Sequence, residues 1–144
     1  MATNRDIVER LWVDLYRRNF DAVGAAFADE GEYTDVPTPG DDVARGPQQI
    51  AARLRLGLEP LDAISHDIRT MVADGDIVVT EQVEHWSWPT GERASLPFVS
   101  VHQLADGKIM RWWDYWDLAT LMNAAPVWWV EHIMNEAARI GLRE

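Results

Sequence analysis

The chain has 144 residues, 47% of them hydrophobic, enough to bury a sizeable core as one globular domain over residues 1–144, and no Pro/Gly/Ser-rich linker divides it. A formal charge of −11, with 13 scattered Lys and Arg, repels phosphate backbones and anionic lipid surfaces and argues against nucleic acid or a membrane as a partner. There is no Cys, which rules out disulfides, thiolate nucleophiles and thiolate metal sites, and the start MATNRDIVERLW lacks the basic region and apolar run of a secretory signal, so a cytoplasmic protein is expected.

Thr3 or Asn4 can cap a first helix in which Ile7, Val8, Leu11, Trp12 and Leu15 recur at helical spacing, ending near Arg17, Arg18 and Asn19. A second, shorter helix runs through Val23 and Phe27. Gly31 to Asp35 reads as a short strand, and Val36 to Gly46 as a Pro/Gly/Asp loop. Pro47 fits the first turn of a third helix, with Ile50, Leu54 and Leu58 along one stripe and a stop at Pro60.

From there the period changes to two. Asp62 to Val72, Ile77 to Trp88, Ala94 to Leu104 and Lys108 to Asp117 read as consecutive strands of an antiparallel meander, punctuated by Asp74-Gly75-Asp76, Pro89-Thr90-Gly91 and Asp106-Gly107. A short helix from Leu118 to Ala124 and another from Val127 to Ile140, carrying Trp128, Trp129, Ile133, Met134 and Ala137, close the chain. Helices first and a long curved antiparallel sheet after predict an α+β cone whose N-terminal helices cover one sheet face, with a C-terminal helix.

Tryptophan is the outlier, with eight residues, seven of them on two strands or in the final helix, which suits an aromatic concavity for an apolar ligand. On the last strand, alternation puts Met110, Trp112, Asp114 and Trp116 on one face and Arg111, Trp113, Tyr115 and Asp117 on the other. Aromatic walls that exclude water raise a carboxyl group's proton affinity, a common way to make a general acid or base. On the strand Ile77 to Trp88 the corresponding face is Val78, Thr80, Gln82, Glu84, Trp86 and Trp88. Its neighbour offers Leu96, Phe98, Ser100 and His102, and Tyr33 and Asp35 alternate in the same sense on the early strand. Glu84, Asp114 and Asp35 are thereby expected around one apolar cavity, with Tyr33, Gln82, Ser100 and His102 as hydrogen-bonding company and Trp86, Trp88, Trp112, Trp116, Leu96 and Phe98 as the substrate wall. Repulsion between facing carboxylates keeps one protonated while another ionises. The plainer reading of the same residues is an aromatic core in which the acids are only hydrogen-bonded.

Four segments carry a resemblance: TEQVE (Thr80 to Glu84), PTG (Pro89 to Gly91), HQLADGKIMRWWDYWDL (His102 to Leu118) and, upstream, EYTDVP (Glu32 to Pro37). They resemble limonene epoxide hydrolase and its SnoaL-like relatives in the NTF2-like superfamily, a fold that hosts hydrolases, isomerases, cyclases, dehydratases and non-enzymes. The resemblance implies Asp114 as the base that activates water, Glu84 as the acid that protonates the epoxide oxygen in place of the family's aspartate, and Tyr33 as a water holder. Two positions depart from the family: its arginine between the acids is Gln82, and its water-holding asparagine is Asp35. The sum is two units more negative than the family's site, with His102 the nearest candidate counter-charge. Asp35 also falls near the proton-shuttling aspartate of ketosteroid-isomerase-like relatives, but their oxyanion-hole acid would fall near Val99 and their helix tyrosine near Leu11 or Trp12, so that design is disfavoured.

No Gly-rich phosphate motif or nucleophile elbow occurs, and the acids and histidines are spread over several strands without ligand spacing, so neither a cofactor nor a metal is expected. The expected function is cofactor-independent acid–base chemistry on a small hydrophobic molecule, foremost epoxide hydrolysis. A polyketide cyclase or isomerase and a non-catalytic ligand-binding dimer are the alternatives. Arg111, Trp113 and Tyr115, with Val79, Val83 and Val101, are expected to form a homodimer surface.

Overall fold

The structure, a computed structural model, describes residues 1–38 and 43–139. Helices α1 (Asn4–Tyr16) and α2 (Phe20–Ala25) lead into strand β1 (Phe27–Asp35). Strand β2 (Val43–Arg45) and helix α3 (Gly46–Leu58) precede β3 (Ala63–Asp74), β4 (Ile77–Ser87), β5 (Arg93–Ala105) and β6 (Lys108–Trp116). Helices α4 (Leu118–Ala124) and α5 (Val127–Arg139) follow. The expected α+β architecture is present, with one correction. The sheet is mixed, in the order β2-β1-β6-β5-β4-β3, because β1 pairs with β6 in parallel while β3 to β6 form the antiparallel meander. Helix α3 carries the chain from β2 to β3 at the far edge of the sheet, and the meander then works back until β6 lies beside β1 in the same direction.

Local boundaries follow local chemistry. Thr3, not Asn4, caps α1: its hydroxyl accepts from the Asp6 amide at 3.1 Å and the Asp6 carboxylate accepts from the Thr3 amide at 3.0 Å, a reciprocal capping box. Arg18, at φ +60, donates to the carbonyl oxygens of Leu58, Glu59 and Leu61 and so ties the end of α1 to the end of α3. Phe27 opens β1 rather than closing α2, and its ring is in the core. The expected loop 36–46 contains β2, whose Ala44 pairs with Tyr33; residues 39–42 of that loop, and Ile140 of the expected last helix, lie outside the described residues.

Two irregularities aim the site. Between β5 and β6 the register passes from Gln103↔Arg111 to Leu104↔Ile109, which leaves Met110 without a partner. A bulge shifts alternation by one residue, so Ile109, fully buried, takes the core position expected of Met110, and the face containing Trp112, Asp114 and Trp116 is reset. A second bulge lies in β1 between Phe27 and Glu32. Beyond it the parallel rungs are Tyr33↔Trp112 and Asp35↔Asp114, setting two acids side by side on adjacent strands.

The core joins Val8, Leu11, Trp12 and Leu15 of α1, Ile50 and Leu54 of α3, and the inward sheet residues, with Trp112 at its centre: its ring lies 5.1 Å from Trp12, 4.7 Å from Tyr33 and 5.7 Å from His102. On the opposite sheet face Arg111 stacks over Trp113 at 4.2 Å and Tyr115 is half exposed. Among the described residues no helix is long and apolar enough to cross a membrane.

Helix α3 is held close to α2 at Gly24, where a Cβ would come within 2.4 Å of the Pro47 carbonyl oxygen. Because the obstacle is backbone, Gly24→Ala is expected to lower unfolding free energy by roughly 1–3 kcal/mol, seen in urea titration as a lower midpoint with an unchanged slope.

Candidate active site

A cavity of about 420 Å³ lies between the inner sheet face and the helices. The sheet contributes Tyr33, Asp35, Glu84, Trp86, Leu96, Phe98, Trp112, Asp114 and Trp116, and Trp12 of α1 and Arg53 and Leu54 of α3 complete one side. The other side is closed by the C-terminal helices, with Leu118, Leu121 and Met122 from α4 and Trp129, Val130, Ile133 and Met134 from α5. The final helix is therefore a wall of the cavity. Trp129 fixes it by donating its indole N–H to the Gly57 carbonyl at 3.0 Å, and Trp128 donates to the Thr90 hydroxyl at 2.9 Å. Trp86, Trp88 and Trp129 form a mutual edge-to-face cluster with centroids 5.6–5.8 Å apart.

Asp114 is buried, and its oxygens have separate surroundings. Oδ1 accepts from the Ser100 hydroxyl at 2.5 Å and from the Trp112 indole N–H, while Oδ2 lies 3.1 Å from the Tyr33 hydroxyl. That hydroxyl is also 2.8 Å from Asp35 Oδ1. Asp35 Oδ1 in addition accepts from the Trp116 indole at 3.1 Å, and Oδ2 is paired with the Arg53 guanidinium at 3.1 Å. Loss of water pushes the Asp114 carboxyl well above its ordinary value, reinforced by the Asp35 and Glu84 charges and opposed by the Ser100 and Trp112 donors. Burial likewise raises the Tyr33 phenol, with the nearby carboxylates adding to it, so the hydroxyl keeps its proton.

Glu84 stands two strands away on β4. Its Oε1 accepts from the Trp86 indole at 3.0 Å and its Oε2 from the Tyr16 hydroxyl at the end of α1. Desolvation lifts the carboxyl to about 7, against the pull of the two donors. Tyr16 is itself held by stacking on His66, with centroids 3.7 Å apart.

The structure thus brings Asp114, Glu84, Asp35, Tyr33, Trp112, Trp116, Trp86, Leu96 and Phe98 to one cavity wall. Four of the expected residues stand behind it. Ser100 reaches the cavity only through Asp114, and Trp88 only through Trp86 and Trp129. Gln82 faces inward but under α1, where its amide donates to Thr80 at 3.1 Å and its carbonyl meets His66 Nδ1 at 2.7 Å. His102 is sealed between the Trp12 and Trp112 rings, with Nδ1 2.9 Å from the Val78 carbonyl and Nε2 without a partner. Burial lowers its pKa to about 4, so it is neutral and supplies no counter-charge. That charge comes from Arg53. Sequence reading also missed Tyr16, a helix tyrosine one turn beyond the positions expected for one. The signal for Arg53 was a basic residue in α3 flanked by Ile50 and Leu54 on the buried stripe; for Tyr16 it was the next step of the Val8–Trp12 stripe.

A model of the SnoaL-like domain matches residues 8–112. The chain belongs to the SnoaL-like family. Solved structures share its fold at low identity. An LEH-like epoxide hydrolase from M. tuberculosis superposes with a TM-score of 0.70 at 24% identity, covering 96% of each chain. A putative SnoaL-like polyketide cyclase from Jannaschia sp. CCS1 gives 0.74 at 20% identity over 85% of this chain and 92% of that one. The epoxide hydrolase/cyclase-like enzyme SalBIII, described as having a role in pyran ring formation in the polyether salinomycin, gives 0.69 at 18% identity over 81% and 92%. No curated protein matches the chain by sequence. Among the described residues of this SnoaL-like protein, no group of three or more His, Cys, Asp or Glu side chains is arranged to hold a metal ion.

Because Glu84 titrates at about 7 in the folded protein against an ordinary 4.5, its ionisation costs the fold stability. Below pH 4.5 the group is neutral in both states. Between 4.5 and 7 the unfolded chain ionises first and stability falls, and above 7 the cost is complete, on the order of 3 kcal/mol. Glu84→Gln keeps the shape and removes the ionisation, its carbonyl still accepting from Trp86 while its amide can donate to the Tyr16 oxygen, so the variant is expected to be more stable than wild type at pH 8, with the gap closing by pH 4.5. Paired denaturant titrations at the two pH values measure this.

Proposed function

We propose that this SnoaL-like protein opens an epoxide on a small hydrophobic substrate, using Asp114 and Glu84 as an acid–base pair in opposite protonation states. The observation that carries this is the placement of two desolvated carboxyl groups, each with raised proton affinity, on the wall of one cavity that is otherwise mostly indole, phenyl and aliphatic. A volume of about 420 Å³ falls within the ~300–1,000 Å³ typical of small-molecule sites. The walls bind the apolar body of the substrate and exclude bulk water, which strengthens every charge interaction inside.

In the reaction, one carboxylate takes a proton from water as the water oxygen bonds to an epoxide carbon. The C–O bond of the ring breaks, and the other carboxyl group gives its proton to the departing oxygen, leaving a vicinal diol. The two groups end with their protonation states exchanged, and proton exchange with solvent resets them. No charge has to leave the cavity.

The likeness to SalBIII supports a second version, in which a hydroxyl of the same substrate replaces water and the product is a cyclic ether. The closed apolar wall contributed by α4 and α5 favours such a folded substrate, since it limits the access of water.

The experiment is turnover of a panel of apolar epoxides and hydroxy-epoxides, with diol and cyclic ether as the products measured. Asp114→Asn and Glu84→Gln are each expected to lower kcat/KM by about 10²- to 10⁴-fold with the fold intact. Substrate-sized ligands that bind with no turnover, unaffected by either substitution, would show a binding module instead.

A further inference from the structure

The Tyr33 hydroxyl carries one proton and touches two carboxyl groups, 2.8 Å from Asp35 Oδ1 and 3.1 Å from Asp114 Oδ2. It can donate to only one of them, so the other contact is a hydrogen bond only if that carboxyl is itself protonated. The remaining partners decide which. Asp35 Oδ1 also faces Tyr33 but already accepts from Trp116, and Asp35 Oδ2 is paired with the Arg53 guanidinium, so both oxygens meet other donors and the adjacent cation favours a bare carboxylate. Asp114 Oδ1 accepts from Ser100 and Trp112, whereas the contact of Oδ2 is with the Tyr33 hydroxyl, so a proton on Oδ2 finds an acceptor and displaces neither of those donors.

We propose that Asp35, held as an anion by Arg53, keeps a proton on Asp114 through the hydroxyl of Tyr33, so that Asp114 is the acid of the site and Glu84 its base. The chain of donors runs from Asp114 Oδ2–H to Tyr33 Oη, and from Tyr33 Oη–H to Asp35 Oδ1. Every polar group in it is then satisfied. Glu84 is arranged the opposite way: both its oxygens accept, from Trp86 and Tyr16, which suits a carboxylate that receives a proton. The charged and titratable groups around Asp114 are Asp35 and Tyr33 on β1, Glu84 on β4 and Tyr16 on α1, with Arg53 on α3 acting through Asp35. Both repulsive carboxylates favour the neutral acid at Asp114. Asp35, Tyr33 and Arg53 are positioning residues in this scheme. The assignment of the proton stands on hydrogen-bond geometry; the roles of acid and base rest on the epoxide-opening reading, and they are the reverse of those implied by the family resemblance, where asparagine stands in place of Asp35.

Infrared and ¹³C NMR titration of the full chain tests it without any substrate. With ¹³C-labelled aspartate, wild type at pH 8 is expected to show one protonated carboxyl resonance, and a protonated-carboxyl C=O absorbance that Asp114→Asn removes and Glu84→Gln keeps. Asp35→Asn, which deletes the neighbouring charge while retaining an acceptor for Tyr33, is expected to lower the pH at which that signal disappears by at least one unit. Wild type with every aspartate ionised at pH 8, or an Asp35→Asn variant with an unmoved midpoint, overturns the proposal. The wild-type spectrum alone decides it if the variant fails to fold. Where epoxide turnover is found, kcat/KM is expected to rise with pH through about 7, as Glu84 ionises. A fall through that range reverses the two roles and overturns the inference while leaving epoxide opening intact; absence of turnover on every epoxide removes the reaction but not the proton on Asp114.

Discussion

The cost of withdrawing carboxyl groups from water governs this protein. Asp114 and Glu84 are almost completely buried among indole rings, and an isolated ion there would be destabilising by several kcal/mol. Each is therefore met by donors on neighbouring elements, and what the donors do not compensate shows as raised proton affinity. Asp35 is met by a full positive charge, since Arg53 reaches it from α3. The net charge of three acids and one guanidinium within a mostly hydrocarbon chamber is thus moderated by protonation. The same desolvation that weakens the fold at high pH supplies groups able to exchange protons near neutrality.

Geometry converts that cost into a site through strand register. The parallel pairing of β1 with β6 puts Asp35 level with Asp114, and the pairing of β5 with β6 brings Ser100 to Asp114 from the other side. The bulge at Met110 is what lets Ile109 fill the core while Trp112 and Asp114 keep facing inward. Without that extra residue, alternation would place either Ile109 or Trp112 on the wrong face. Helices α1 and α3 add a second phenol, Tyr16, and the Arg53 guanidinium to the site, so the chemistry is shared between the sheet and its cover. Among the described residues, those that α4 and α5 contribute to the cavity wall carry no ionisable group.

Much of this was legible in the sequence because it rests on short-range patterns. Alternation along Ile77 to Trp88 and Lys108 to Asp117 predicted which side of each strand Glu84, Trp86, Trp112, Asp114 and Trp116 would occupy, and the turn signals placed the meander. Helical spacing found the apolar stripes of α1 and α3. What was not legible depends on contacts between distant segments. A bulge has no signature in KIMRWW, so Met110 was assigned to the wrong face. Parallel pairing of β1 joins it to β6, a strand far along the chain from it. Gln82 and His102 satisfied alternation, yet alternation gives only a direction, and the helix lying over that end of the sheet turned both into core residues. Arg53 and Tyr16 sit on helix faces whose partners are chosen by packing, and leaving out Arg53 overstated the negative charge of the site by one unit.

The most direct test of this account is neutron diffraction from deuterium-exchanged crystals grown near pH 8, which locates the hydrogens around the acids. The account predicts deuterium on Asp114 Oδ2 directed at Tyr33 Oη, deuterium on Tyr33 Oη directed at Asp35 Oδ1, and bare oxygens on Asp35 and Glu84. A bare Asp114 with deuterium on Glu84 would contradict it.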